Sequence, residues 1–439
     1  MLASVHNPFT QRGPIRDAAA FVGRATTLAQ VLAFVGSGQC VSLVGPRRIG
    51  KTSLALHCAR AGVLQHYGID PQACVWLIQT CETWEQLTSE AIYQLLANLI
   101  REQLPAADRP VHAELTPYRQ FEQAVRELSL RQIQLVLVLD EFDLLSRNPA
   151  LDEQFFTSLR GLVTAYGLSF FTISTRPLLD LTFVQGSTLS SPFFNVFAQV
   201  RLGLFAANEV GLLFDQYTSR AGLQLSATLR TVISQLSGPH PLLLQIAAFY
   251  AVEALAAGGE PATDFAELFL GEARQHWSYW WQMLSPADQR LLALLPLDGP
   301  HDRRGVTRLI QAGLVQTIAA TNVPLSVAFA AFVREQPIPG LLCAPPLLLE
   351  PQRNLVLAND QIIALTASEG ALLACLLDPP GCFRSFAELD QALDGAQPSD
   401  GALSPDRVKA AIKTLRAKLG MHGAMIENVR GGGFRLVGY

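Results

Sequence analysis

Along the first 200 residues, short and wholly apolar runs alternate with stretches of helical period. The runs are "QCVSLVG" (39–45), "ACVWLIQT" (73–80), "IQLVLVLDEFD" (133–143) and "LSFFTISTRP" (168–177). They lack the in–out alternation of a half-solvated sheet, so they predict strands covered on both faces and a parallel α/β sheet. Helical patterns lie between them: "FVGRATTLAQVLAFV" (21–35), "KTSLALHCARAGVL" (51–64), "TWEQLTSEAIYQLLANLIREQL" (83–104) and a segment around 151–165. After about residue 200 the strands stop. "NEVGLLFDQYTSRAGL", "SATLRTVISQLSG" and "PLLLQIAAFYAVEAL" read as a helical lid. Residues 265–335 read as helices followed by one hairpin, and "EQPIPGLLCAPP" reads as a linker.

The last ninety or so residues form a separate unit. Short strands around an Asn359-Asp360 turn lead to a helix opened by a Thr366…Glu369 capping box. A second helix, 404–419, starts with Ser404 as N-cap, Pro405 at the first position and Asp406 in the first turn. Val408, Ile412, Leu415 and Leu419 form its core stripe. Lys409, Lys413 and Arg416 occupy one flank, Arg407 and Lys418 the other, with Ala410, Thr414 and Ala417 between them. A ridge of small side chains between two rows of cations suits a major groove with a phosphate wall on either side. "AMIENVRGGGFRLVGY" then reads as a hairpin with Arg430 at its turn.

These patterns predict a multidomain chain: a parallel α/β core (1–200), a helical lid (201–264), a small helix-rich domain with one hairpin (265–335), a linker (336–345) and a terminal unit of strands, helices and a closing hairpin (346–439). Composition changes the picture in one respect. The net charge is −4, which points to no polyanionic partner, yet the cations are unevenly placed. From Arg407 to the end there are seven basic residues and one acid, and three of the chain's four lysines lie between 408 and 419. The fourth is Lys51. Seven scattered cysteines without a CxxC pair indicate neither a zinc site nor a redox motif. No signal-peptide core or membrane-length apolar run is found, so a cytoplasmic protein without a membrane partner is expected.

Gly45-Pro46-Arg47-Arg48-Ile49-Gly50-Lys51-Thr52-Ser53 fits the phosphate-loop pattern and lies between a predicted strand and a predicted helix. In this spacing the loop amides wrap phosphates, Lys51 reaches the β/γ oxygens and the Thr52 hydroxyl takes a Mg²⁺ position. Arg47 and Arg48 are either further phosphate contacts or surface arginines. Asp140 and Glu141 fall at the C-terminal edge of a buried strand, where open α/β sheets bind ligands. Asp140 would hold Mg²⁺, and Glu141 would orient or deprotonate the attacking water. Ser174, Thr175 or Arg176, ending the next strand, would face the γ-phosphate. The chain carries no Asn-Lys-x-Asp guanine reader, which favours ATP over GTP.

"FVGR", "GPRRIGKTS", "LVLDEFD", "STRP" and "SGPHPLLLQ", in this order, resemble the STAND-type branch of the AAA+ ATPases over roughly residues 7–335. The resemblance implies that "NPF…RGPI…FVGR", with Val22, Gly23 and Arg24, lines the adenine side. It also implies that Gly238-Pro239-His240-Pro241 sits in the lid, Pro239 against the nucleotide. It further implies an α/β P-loop NTPase core over 1–200, an internal winged helix over 265–335, and an ATPase with slow hydrolysis that assembles into a homo-oligomer with ATP and closes with ADP. "R-V-x-x-x-I-x-x-L-R-x-K-L…I-x-x-V-R-G-G-G-F-R-L" resembles the OmpR/PhoB-type winged helix. That likeness implies double-stranded DNA as partner. Lys413, Thr414 and Arg416 would reach bases or phosphates, Arg430 would enter the minor groove, and 394–403 would meet RNA polymerase. Together these imply an ATP-switched DNA-binding regulator of transcription; the alternatives are an AAA+ initiator or loader and a defence ATPase that senses nucleic acid.

Overall fold

The computed structural model describes residues 7–103, 114–182, 191–258, 264–295, 303–338, 340–344, 346–358, 361–396, 405–429 and 432–437. The chain divides into two compact units: residues 1–234 with 239–265, and residues 235–238 with 266–439.

The first unit is built on five parallel strands, β1 (Cys40–Val44), β2 (Cys74–Thr80), β3 (Gln134–Asp140), β4 (Ser169–Ser174) and β5 (Phe197–Arg201), in the order β2-β3-β4-β1-β5. Alternate residues of β3 enter two different cores. Val136 and Val138 pack with Val41, Leu43, Leu54 and Phe171, whereas Leu135, Leu137 and Leu139 pack with Phe142, Phe155, Phe156 and Phe170. This two-sided burial is why the strand reads as a continuous apolar run. The edge strand β5 is different. Only Val200 in "FAQVR" is fully buried, so the segment carries no such run and escapes the sequence pattern.

Two predicted helices are also redrawn. The first begins at Ala25, not Phe21, because Gly23 and Arg24 take left-handed backbone conformations (φ 68° and 65°) that break the turn. The stretch 83–104 divides into a 3₁₀ turn, Cys81–Trp84, and the helix Ser89–Gln103. The lid helices are Ala207–Ala221, Ala227–Ser237 and Pro241–Ala256. None of the described helices is long and apolar enough to cross a membrane.

The second unit opens with helices ending at Gln282, Leu294 and Gln311, the hairpin β6 (Val315–Ile318) and β7 (Thr321–Pro324), and the helix Val327–Arg334. Trp277 anchors it, with ring centroids 5.7 Å from Phe329 and 5.6 Å from Phe332. The antiparallel strands β8 (Leu342–Ala344), β9 (Leu347–Glu350), β10 (Leu355–Ala358) and β11 (Gln361–Ala364) follow. Next come the helices Ala367–Leu377, Phe386–Ala396 and Pro405–Leu419, and the sheet β12 (Arg384–Ser385), β13 (Ile426–Val429) and β14 (Gly433–Leu436) in the order β12-β14-β13. Leu372, Leu376, Val408, Ile412, Leu415 and Phe434 share one core. Helices closed by a terminal hairpin make this a winged helix. The Thr366/Glu369 capping box is present in both directions. Asn359, Asp360, Ser404, Arg430 and most of 394–403 lie outside the described residues.

Candidate functional site

The phosphate loop leaves β1 at Gly45 and enters the helix Lys51–Cys58 at Gly50. Both glycines are required by the backbone. A Cβ at Gly45 would lie 2.3 Å from the Leu202 carbonyl oxygen, and Gly50 has φ +102°. Lys51 Nζ donates to the Gly45 and Pro46 carbonyls, 2.8 Å each. Burial lowers the Lys51 pKa, opposed by the nearby carboxylates of Glu141, Asp143 and Asp140. The Thr52 hydroxyl donates to Asp140 Oδ2 at 2.5 Å, so the loop and the end of β3 meet at one point. Asp140 Oδ1 accepts the Glu141 N–H at 2.9 Å. Glu141 itself is left-handed (φ 56°), and burial raises its carboxyl pKa while Arg47 and Lys51 oppose the shift.

At the end of β4, Asp143 accepts both the Thr175 N–H (2.8 Å) and the Thr175 hydroxyl (2.9 Å). Ser174 Oγ donates to the Arg176 carbonyl at 2.6 Å. The last acid of "DEFD" thereby fixes the loop in which the γ-phosphate reader is expected.

A cleft of about 600 Å³, within the size range of small-molecule sites, opens above the phosphate loop and the Asp140-Glu141 end of β3, with Ser174, Thr175 and Arg176 outside its lining. Arg12, Arg16, Arg47, Arg48 and Lys51 line it, with Glu82, Asp140 and Glu141 as its acids. Thr52, Ser53 and Gly50 belong to the same wall. The cleft's apolar lining is Pro14, Ile15, Phe21, Val22, Phe205, Leu213 and Leu242, and Gln245 lines it as well. The Ile15 N–H donates to Ser53 Oγ at 3.0 Å, and Phe21 stacks on His57 at 4.0 Å, so the N-terminal segment is tied to the phosphate-loop helix.

Arg24 also lines the cleft, but its guanidinium is a strut. It donates to Ile49 O (3.2 Å) and Leu204 O (3.3 Å) and lies 4.3 Å from the Phe205 ring centroid. Burial brings its pKa down to about 10, which leaves it charged at neutral pH beside Glu209. Arg176, Gly23, Gly45, Pro46 and Pro239 are not lining residues. The Pro239 carbonyl instead accepts the Phe205 N–H at 3.0 Å, and the lid reaches the cleft through Pro241, Leu242 and Gln245. Sequence reading missed Arg16, Glu82 and Gln245. Gln245 closes the motif "SGPHPLLLQ", but nothing in that pattern assigns its side chain a role.

On the helix Pro405–Leu419 the two cationic flanks are unequal. Arg407 pairs with Asp394 (2.6 Å) and Asp390 (3.4 Å), and Lys418 pairs with Glu369 (2.6 Å). Arg416 Nε donates to the Ile426 carbonyl at 3.2 Å, and its guanidinium lies 5.5 Å from the Phe434 ring centroid. Lys409 pairs with the exposed Asp406 at 3.1 Å. The Thr414 hydroxyl donates to the Ala410 carbonyl at 3.2 Å. Lys413 is exposed and, among the described residues, has no ion pair. The helix's own sequence has no acid after Asp406; the acids that neutralise one flank come from elsewhere in the winged helix.

The family model "Novel STAND NTPase 2" matches residues 28–294, and the model "Transcriptional regulatory protein, C terminal" matches residues 360–436. No curated protein matches the chain. Among solved structures it is similar to a Walker-type ATPase of Pyrococcus abyssi, with 16% identity, a TM-score of 0.50 and coverage of 74% of this chain and 99% of that one. That likeness shows a shared fold. The ORC2 protein of Aeropyrum pernix (ADPNP-ADP complexes) matches with 14% identity and a TM-score of 0.46, over 75% of this chain and 97% of that one. Domain III of the Thermotoga maritima replication initiation protein DnaA matches with 15% identity and a TM-score of 0.40, over 60% and 98%. The phosphate loop, the acidic strand end and the terminal reader helix thus belong to a chain of the novel STAND NTPase 2 family that also carries a winged-helix domain of the transcriptional-regulator C-terminal type.

Proposed function

We propose that this chain is a DNA-binding regulator, most directly of transcription, whose grip on DNA is set by whether ATP or ADP occupies the cleft. The observation that carries the reading is the Lys51–Thr52–Asp140–Glu141 constellation in one unit of a chain whose other unit presents a cationic reader helix. The excess of cations over carboxylates lining the cleft suits a triphosphate, and its apolar lining residues suit a base.

The residues divide the work. Lys51 exchanges its contacts with the Gly45 and Pro46 carbonyls for phosphate oxygens, a low-cost substitution because the ammonium is already oriented. Thr52 and Asp140, which share one hydrogen bond, are a hydroxyl and a carboxylate of the kind Mg²⁺ accepts, and they would hold that ion. Bound there, Mg²⁺ would neutralise charge on the β- and γ-phosphates. Glu141, with its raised pKa, is suited to take a proton from the attacking water. Hydrolysis is slow and acts as a timer. Arg47 and Arg48 supply further positive charge at the phosphate end.

Lys409, Lys413 and Thr414 face DNA from the reader helix, with Arg416 holding the wing against it. A single winged helix buries on the order of 600–1,000 Å² on DNA, and specific sites usually take two modules. ATP-dependent assembly into a homo-oligomer would raise the effective concentration of a second reader to roughly millimolar. Selection of bound sequences from a random DNA pool, with ATP and with ADP, tests this. Enrichment of one motif under ATP, lost with Lys51→Ala, is expected. Equal enrichment in both nucleotide states would sink the switch.

A further inference from the structure

We propose that Gln245 reads the base of the bound nucleotide, its side-chain carbonyl accepting from the exocyclic amino group of adenine. This deepens the nucleotide reading given above and rests on it. Gln245 lies on the helix Pro241–Ala256 and lines the cleft, whose wall also includes Phe205, Leu213 and Leu242. It is 5% exposed, and its Oε1 is buried without a hydrogen-bond partner. A buried carbonyl left in that state has lost its water without gaining a donor, and a ligand N–H would supply the missing bond.

The orientation of the amide follows from its neighbour. Tyr217, 3% exposed and stacked on Phe9 at 5.3 Å, gives its single hydroxyl proton to the Ala20 carbonyl at 2.9 Å. Toward the neighbouring Gln245 side chain, that hydroxyl can only accept. Gln245 must therefore offer Nε2–H to Tyr217, which leaves Oε1 as the acceptor that meets the ligand. Adenine presents a donor, N6–H₂, where guanine and hypoxanthine present the acceptor O6. Two facing acceptors repel, so the same geometry that welcomes ATP rejects GTP and ITP. The Tyr217–Gln245 pair thus acts as a specificity device: Gln245 touches the base, and Tyr217 positions it.

Calorimetric titration of the full chain with ATP and with ITP tests this, because the two differ at the group in question. Wild type should bind ATP at least about 10-fold more tightly than ITP, within the discrimination that a dedicated polar contact supplies. Gln245→Leu should bring the two within about 3-fold of each other, chiefly by weakening ATP. Tyr217→Phe frees the amide to turn, so ITP should bind more tightly than it does to wild type, a gain that mere loosening of the fold does not produce. Equal affinities in wild type, or a ratio unchanged in both variants, would overturn the inference while leaving a nucleotide site in place. Failure of wild type to bind either nucleotide, or binding unaffected by Lys51→Ala, would overturn the nucleotide reading itself.

Discussion

Lys51 Nζ satisfies two loop carbonyls at 2.8 Å, and Thr52 and Asp140 satisfy each other, so the phosphate end is held by its own parts. Lys51→Ala should therefore fold, yet lose nucleotide affinity by at least about 30-fold, the scale for truncating one partner of a buried charged contact. Fluorescence titration against ATP reads this. Glu141→Gln should retain ATP and lose hydrolysis by about 100-fold or more, as expected for removal of a general base. The pH dependence has a definite sign. A base works only when ionised, and burial raises the Glu141 pKa, so the rate should climb with pH through a midpoint above the ordinary glutamate value of about 4.5. A rate profile of wild type that shows no rise anywhere from about pH 4 to 8 would remove Glu141 from this role. The identity of these four residues was legible in the sequence, because each is fixed by the phosphate loop or by the end of an apolar run. Gln245 was not. A glutamine in "PLLLQIAAFY" becomes informative only when Tyr217, 28 positions earlier, is found to use its one proton on Ala20.

Elements add constraints that no single side chain carries. The phosphate loop passes so close to Leu202 that Gly45→Ala places a methyl 2.3 Å from a backbone oxygen. Overpacking of that kind costs about 1–3 kcal/mol, and differential scanning calorimetry should show a transition lowered by at least about 3 °C. On the reader helix, the two flanks should separate in a salt titration of DNA binding. Lys413→Ala should weaken binding and reduce the salt slope by about 1, whereas Arg407→Ala should change the slope less, since Asp390 and Asp394 already neutralise it. Glu369 belongs to the same helix packing. Burial works against its ionisation, but Lys418 and the Thr366 cap outweigh it, and its pKa is lowered. A depressed carboxylate stabilises the fold above its unfolded pKa and loses that contribution as pH falls through the folded value. Acid unfolding of the winged helix should accordingly be less steep in Glu369→Gln, followed by circular dichroism.

At the scale of the whole molecule, the prediction concerns coupling. With ATP the chain should sediment as an oligomer and hold a selected operator more tightly than with ADP, and Lys51→Ala should lose both effects together. Analytical ultracentrifugation alongside binding assays would reveal a failure if mass and affinity did not change in step. The sequence by itself determined the two chemistries and the parallel sheet, because a phosphate loop, an acid at the end of a buried strand and a wholly apolar run are local patterns with local causes. It missed β5, where only Val200 of "FAQVR" is fully buried and an edge strand leaves no continuous apolar signature. Tertiary structure alone decided which charges are spent within the protein and which stay available. Arg407 and Lys418 look like DNA ligands along the helix, but acids brought in from 369, 390 and 394 hold them, and pairing across such separations depends on packing that no reading of one segment contains.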